Sequence, residues 1–260
     1  VALWAFTGWH LPDWKTENFE NSYQPPSLRH PFGTDIHGRD VLAKTIYGTR
    51  VAFTVALTAS VLAAVIGLSL GLLAGYYGGI IDDLITWIYS TLQAIPYILL
   101  IMAFAFVLQD KQLNFFGLEF RIRGIIGVYL ALGLTGWVGL CRLIRGETIK
   151  HRDREYVLAA RAAGIGRPRL IIRHILPNVF HLVIITFSLS FVSYIHAEVI
   201  LSFLGLGVKN TPSWGVMIDD AKLEAAADAM ADAGVESVAI CFLHAFLNPA
   251  HEKRAGAILF

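Results

Sequence analysis

Between Val51 and Ile81 the sequence carries no Asp, Glu, Lys or Arg, and the same holds from Leu84 to Gln109 and from Gly124 to Cys141. Only 16% of the 260 residues are charged, against about 25% in an ordinary soluble domain. That scarcity leaves too little polar surface to cover a water-soluble globule. Net charge is +1, so no bulk basic field points to nucleic acid. The two cysteines, Cys141 and Cys241, give neither a disulfide framework nor a metal-ligand spacing and read as small buried hydrophobes. No G-x-x-x-x-G-K-S/T phosphate loop occurs, so this sequence carries no such site for nucleotide hydrolysis. No cofactor is expected.

What is present in place of charge is length. Each uncharged run is long enough, or nearly so, to cross a hydrocarbon core about 30 Å thick. A fourth segment, Ile175 to Val208, holds a single charge, Glu198. None of the four alternates with period two, and a backbone in lipid satisfies itself only as helix or closed barrel, so all four are expected to be helices. The fold class that follows is an all-α polytopic membrane protein. Val1 to Trp9 is apolar but short, and reads as the end of a transmembrane helix.

Orientation follows from Lys and Arg. Arg142, Arg145, Lys150, Arg152, Arg154, Arg161, Arg167, Arg169 and Arg173 crowd one loop against Glu147, Asp153 and Glu155. That loop is expected in the cytoplasm. Parity then puts residues 78–83 inside as well, and residues 10–50, 110–123 and 209–220 outside.

In the outer N-terminal stretch, Gly33 and Gly38 permit tight turns, and Asp35 or Asp40 can cap a helix start. Val41, Leu42, Ile46 and Tyr47 share a helical face, with Arg39, Lys44 and Arg50 elsewhere, as in an amphipathic interfacial helix. His30 and His37 with the two aspartates suit turns and caps better than a metal, because their spacing matches no ligand set.

The basic loop is the richest segment. Arg152 to Ala163 has helical composition, and Gly164 is a natural stop. A second helical run, Leu170 to Ile175, leads to Leu176-Pro177 and the next span. Ala159, Ala160, Ala162 and Ala163 leave one side nearly featureless, which lets a partner approach closely, while the flanking arginines suit an acidic rim. On these residues alone, a docking surface and a solvated basic loop stand side by side.

The pattern A-A-x-x-x-G, with L-P twelve residues further on, falls here at Ala159, Ala160, Gly164, Leu176 and Pro177. It resembles the coupling loop of bacterial ABC importer permeases. The family's leading Glu is replaced by Leu158 and its usual Ile by His174. GTDIHGRDVLAKTIYGTR, AGYYGGIIDDL and EVILSFLGLGVKNTPSWGVMIDDA also resemble the dipeptide, oligopeptide and nickel branch, over residues 20 to 221. The resemblance implies a type I importer helix bundle in the bacterial inner membrane. It implies a non-catalytic subunit that forms half of a pore for peptides or a related small solute, with nickel and other small solutes as the alternative cargo. It implies a second permease subunit, two cytoplasmic ATPase subunits and an outer solute-binding protein as partners, besides the lipid bilayer. It places the ATPase-coupling surface at Arg152, Glu155, Tyr156, Ala159, Ala160, Arg161, Gly164, Leu176 and Pro177.

Glu198 is an acid inside a span, and so a candidate for the outer mouth of the pore; an interfacial acid bonded to a neighbouring helix is the other reading. Pro96 is expected to kink the second complete span. Gly71-x-x-x-Gly75 offers a small-residue packing face.

Three domains follow. Residues 1–50 comprise a helix end, an outer loop and the amphipathic helix. Residues 51–221 form the permease body, with the coupling loop at 142–177. Residues 222–260 form a non-permease tail. In that tail Lys222 to Ala233 is helix-like, Val235 to Phe246 strand-like, and GVESVAICFLHAFLNPAHE is similar to a hydantoinase/oxoprolinase segment. A short soluble-like α/β tail, from a fused or frame-disrupted gene, is expected in place of the family's last membrane helix. A membrane-anchored fusion with a hydantoinase-like fragment is a further alternative, and a transporter driven by an ion gradient another.

Overall fold

The computed structural model describes residues 15, 17–108, 112–115, 118–121, 125–207, 211–218, 220, 221 and 225. The apolar segment Val1 to Trp9 and the segment with the hydantoinase/oxoprolinase resemblance lie outside them. Within the described residues the uncharged runs are helical. Helix α1 covers Val41–Tyr77, α2 Gly79–Gln93, α3 Tyr97–Leu108, α4 Ile125–Gly136, α5 Val138–Arg152, α6 Glu155–Ala162, α7 Arg167–Leu170 and α8 Leu176–Phe203. Among the described residues the strands form one hairpin: β1 (Gln112–Phe115) and β2 (Leu118–Arg121) pair antiparallel between α3 and α4, with Gln112 opposite Arg121.

Among the described residues, three continuous stretches are long and apolar enough to cross a membrane: Val41–Tyr77, Ile126–Arg152 and Arg167–Phe203. The protein is an integral membrane protein. The second expected span is broken. Helices α2 and α3 bend by 97° across Ala94, Ile95 and Pro96. Pro96 has no N–H to give, and its ring disfavours helical geometry at Ile95, so the expected kink takes the form of a sharp turn.

Two compact units divide the chain. One holds Val55–Ala197; the other holds Val1–Thr54 with Glu198–Phe260. In the Val55–Ala197 unit, α1 packs on α5 through Gly67, Gly71 and Gly75. A β-carbon on Gly67 would come within 2.8 Å of the Trp137 carbonyl oxygen, on Gly71 within 2.8 Å of the Cys141 carbonyl oxygen and on Gly75 within 2.6 Å of the Thr148 side chain. One glycine per turn along one helix stripe lets the two backbones approach closely. The Gly71-x-x-x-Gly75 face is therefore used, and Gly67 extends it by a turn. At the end of α1, Gly78 and Gly79 both take positive φ, at 65° and 55°, which lets the chain reverse directly into α2.

The other unit brings together two motifs remote in sequence. Asp40 caps α1: its Oδ1 accepts from the Ala43 N–H at 2.9 Å, and its Oδ2 is hydrogen-bonded to His30 Nδ1 at 2.9 Å. Asp35 closes the preceding turn by accepting from the N–H groups of His37 and Arg39. It also holds Lys44 Nζ at 2.6 Å. Lys44 is therefore buried, although its place in the sequence pattern puts it on the polar side. Trp214 Nε1 donates to the Thr45 carbonyl at 3.0 Å, and its ring lies against Gly48, where a β-carbon would stand 2.8 Å from Cδ1.

Candidate functional site

Helix α6 has eight residues, too few to be stable alone. Its neighbours hold it. Val157 and Ala160, one turn apart, are buried with Leu170, Ile171, Ile175 and Val179 against Leu72, Tyr76, Leu140 and Ile144. The loop is thus seated on the ends of α1 and α5. Gly164 at φ 79° ends α6. The Gly164 N–H bonds the Arg161 carbonyl and the Ile165 N–H bonds the Ala160 carbonyl, the paired closure in which a left-handed glycine satisfies the last helical carbonyls. Ile165 then packs back on the same core.

The helix starts later than the sequence pattern suggests. Arg154 is extended, at ψ 147°, and separates α6 from α5. Arg152 is the last residue of α5, and its Nη1 reaches the Gly75 carbonyl at 3.5 Å. Downstream, Ile171–Ile175 form a π-helical turn directly before Leu176-Pro177. A proline cannot donate to the carbonyl four residues back, and the widened turn relieves that mismatch.

The expected surface residues divide by face. Glu155, Tyr156, Ala159, Arg161, Gly164 and Pro177 are exposed, Arg152 and Leu176 are half-buried, and Ala160 faces the core. The exposed side also carries Leu158, 46% exposed, and Ile172, 64% exposed. Arg161, Arg167, Arg169 and Arg173 make no salt bridge among the described residues. Tyr156 is anchored: its hydroxyl is hydrogen-bonded to His151 Nδ1 at 2.8 Å and accepts from Asn178 Nδ2 at 3.4 Å. Burial pushes its phenol pKa up, so it stays neutral. The result is a rigid, basic face with apolar side chains at its centre.

A feature absent from the sequence reading reinforces this platform. Arg145 on α5 holds Asp82 on α2 through Nε to Oδ1 and through Nη2 to Oδ2, the latter at 2.7 Å. Three residues earlier, Arg142 Nη1 donates to Gln93 Oε1 at 2.9 Å. Two facing helices are thereby pinned at two levels. The only hint in the sequence is an acid on a turn that the charge rule disfavours.

Glu198 is fully buried. Its Oε1 accepts from Ser202 Oγ at 2.6 Å, and the Ser213 hydroxyl lies beside the same carboxyl. Its second oxygen has no hydrogen-bond partner among the described residues. In this chain Ser202 and Ser213 flank the carboxyl.

The family of binding-protein-dependent transport system inner membrane components matches residues 67–254, which contain the whole seated loop. The chain belongs to this family. The match runs past residue 221, where the motif resemblance in the sequence stops. Among similar proteins are the oligopeptide transport system permease protein OppC of Bacillus subtilis, 34% identical over 80% of this chain and 64% of its own length; the dipeptide transport system permease protein DppC of Bacillus subtilis, 37% identical over 75% and 58%; and OppC of Escherichia coli K12, 38% identical over 74% and 59%. The chain thus spans less than two thirds of each of these relatives.

Proposed function

We propose that this chain is the membrane permease subunit of an ATP-driven importer of peptides in the bacterial inner membrane. It forms half of a translocation pore with a second permease subunit, receives solute from an outer binding protein, and leaves ATP hydrolysis to two cytoplasmic subunits. The observation that carries this reading is the two-sided construction of α6. Val157 and Ala160 lock it to the membrane helices. Tyr156, Leu158 and Ala159 face outward beside four arginines that make no salt bridge among the described residues. A helix so held passes displacement between a bound partner and the spans, because a packed core shifts as a unit.

The test is co-purification of the chain with its second permease and ATPase subunits. Ala159→Glu puts a charge at the centre of the exposed face and is expected to abolish ATPase recovery while the two permeases stay together. Failure of the unaltered chain to retain any ATPase would remove the reading.

A further inference from the structure

The break in the second span opens a cavity of about 420 Å³ within the Val55–Ala197 unit. It is bounded by Gln93 and Tyr97 on either side of the break, by Thr135 and Gly139 flanking the α4–α5 junction, and by Ser193 and Tyr194 on α8. At 1.5 Å per residue, Gln93, Gly139 and Ser193 lie about 20–26 Å along their helices from the loop-side ends at Gly79, Arg152 and Leu176. All three elements therefore meet at one depth, in the outer half of a core about 30 Å thick. Irregular backbone at such depth is tolerated where it lines a polar or water-filled space, and broken helices of this kind mark solute sites in other transporters.

The lining contains no Asp, Glu, Lys, Arg, His or Cys. It lacks the carboxylate, imidazole and thiolate donors that divalent metals take. It offers neutral donors and acceptors instead. Gln93 accepts from Arg142 through Oε1, which leaves its amide N–H groups as donors. Ser193 Oγ donates to the Leu189 carbonyl at 3.1 Å and keeps its lone pairs. Tyr97 is paired with Thr135, and Tyr194 with Ser190. A peptide main chain presents the matching set, uncharged N–H and C=O groups, whatever its side chains. A purely apolar solute would leave the Gln93 amide N–H groups and the Ser193 lone pairs unused.

We propose that this cavity is a station within the membrane that binds the main-chain amides of the transported peptide. The proposal rests on the importer reading above and gives it a site and a solute class.

Gly139 supplies the test. A β-carbon there meets no atom within 4 Å and Gly139 borders the cavity, so Gly139→Leu adds bulk at the cavity wall. Gly146, two turns along the same helix, is equally open and lies outside the lining, so Gly146→Leu is the control. The complete transporter is reconstituted in proteoliposomes and import of labelled trialanine is followed. Gly139→Leu is expected to lower import at least tenfold. Gln93→Leu, which removes the amide, is expected to lower it about tenfold by itself. Both variants are expected to retain all subunits and ATPase activity within twofold, and Gly146→Leu to import normally. Normal import by Gly139→Leu and Gln93→Leu would overturn the station and leave the importer reading intact. Loss of the second permease from the Gly139→Leu complex would also overturn it, because the cavity would then be a partner's socket. Absence of trialanine import by the unaltered complex would instead defeat the peptide-importer reading and the station with it.

Discussion

Arg145 and Asp82 meet through two parallel N–H···O bonds, across 63 residues of sequence. The pair joins α5, which leads into the seated loop, to α2, which leads to the break in the second span. Removing the acid leaves a partly enclosed guanidinium without its partner. Asp82→Asn is expected to cost about 2 kcal/mol, less than the loss at a fully buried pair, and to lower the thermal midpoint in detergent by about 4–8 °C. A double-mutant cycle with Arg145→Gln should return a coupling of about 1–3 kcal/mol. Additive single effects would show that the two side chains act independently.

The glycines of α1 and α5 should respond in opposite directions. Gly71→Ala places a β-carbon 2.8 Å from a backbone oxygen and is expected to cost about 1–3 kcal/mol through overpacking. Gly146→Ala meets nothing and should gain up to about 1 kcal/mol from helix propensity. Thermal unfolding of the two variants side by side reads the difference, and equal responses would contradict the close α1–α5 packing.

Adjacent alanines in α6 should also separate. Ala160→Glu drives a carboxylate into the apolar cluster around Ile144 and Leu170 and is expected to destabilise by more than about 3 kcal/mol. Ala159→Glu, on the exposed face, should stay within about 0.5 kcal/mol of the unaltered chain. Limited proteolysis at Arg154 and Arg161 reports which helix has come loose.

The turn before α1 carries a pH-dependent contribution. Burial works to raise the Asp35 pKa, but the hydrogen bond and charge of Lys44, with the N–H groups of Arg39 and His37, hold it below the ordinary carboxylate value of 3.8. A carboxyl depressed on folding stabilises above its unfolded pKa, and that stability is lost as pH falls through the folded value. The unaltered chain should therefore lose thermal stability progressively below about pH 4. Asp35→Asn, which leaves the buried Lys44 unpaired, should start about 3 kcal/mol lower at neutral pH and show a flatter acid limb.

Much of this architecture is legible in composition. Uncharged runs announce helices because lipid allows the backbone little else, and Gly164 announces a stop because few other residues accept positive φ. Asp40 as the cap of α1 is equally readable. What escapes the sequence depends on pairing between remote segments. Nothing in the adjacent alanines says that Ala160 turns inward while Ala159 turns outward, since Val157 and Leu158 are apolar alike; Leu72 and Ile144 decide it. Asp82 looks misplaced until α5 brings Arg145 to it. Pro96 signals a disturbance, but the size of the bend and the cavity behind it need Thr135 and Ser193 from other helices.

The brevity of α6 has one more consequence. Eight residues cannot keep a helical shape in water, so the exposed face of α6 exists only while Val157 and Ala160 have a floor beneath them. A chain whose spans have not inserted and closed would present a frayed segment in its place. The seated helix therefore reports that α1 and α5 have closed beneath it, and a probe that recognises its shape would read packed chains and pass over unpacked ones.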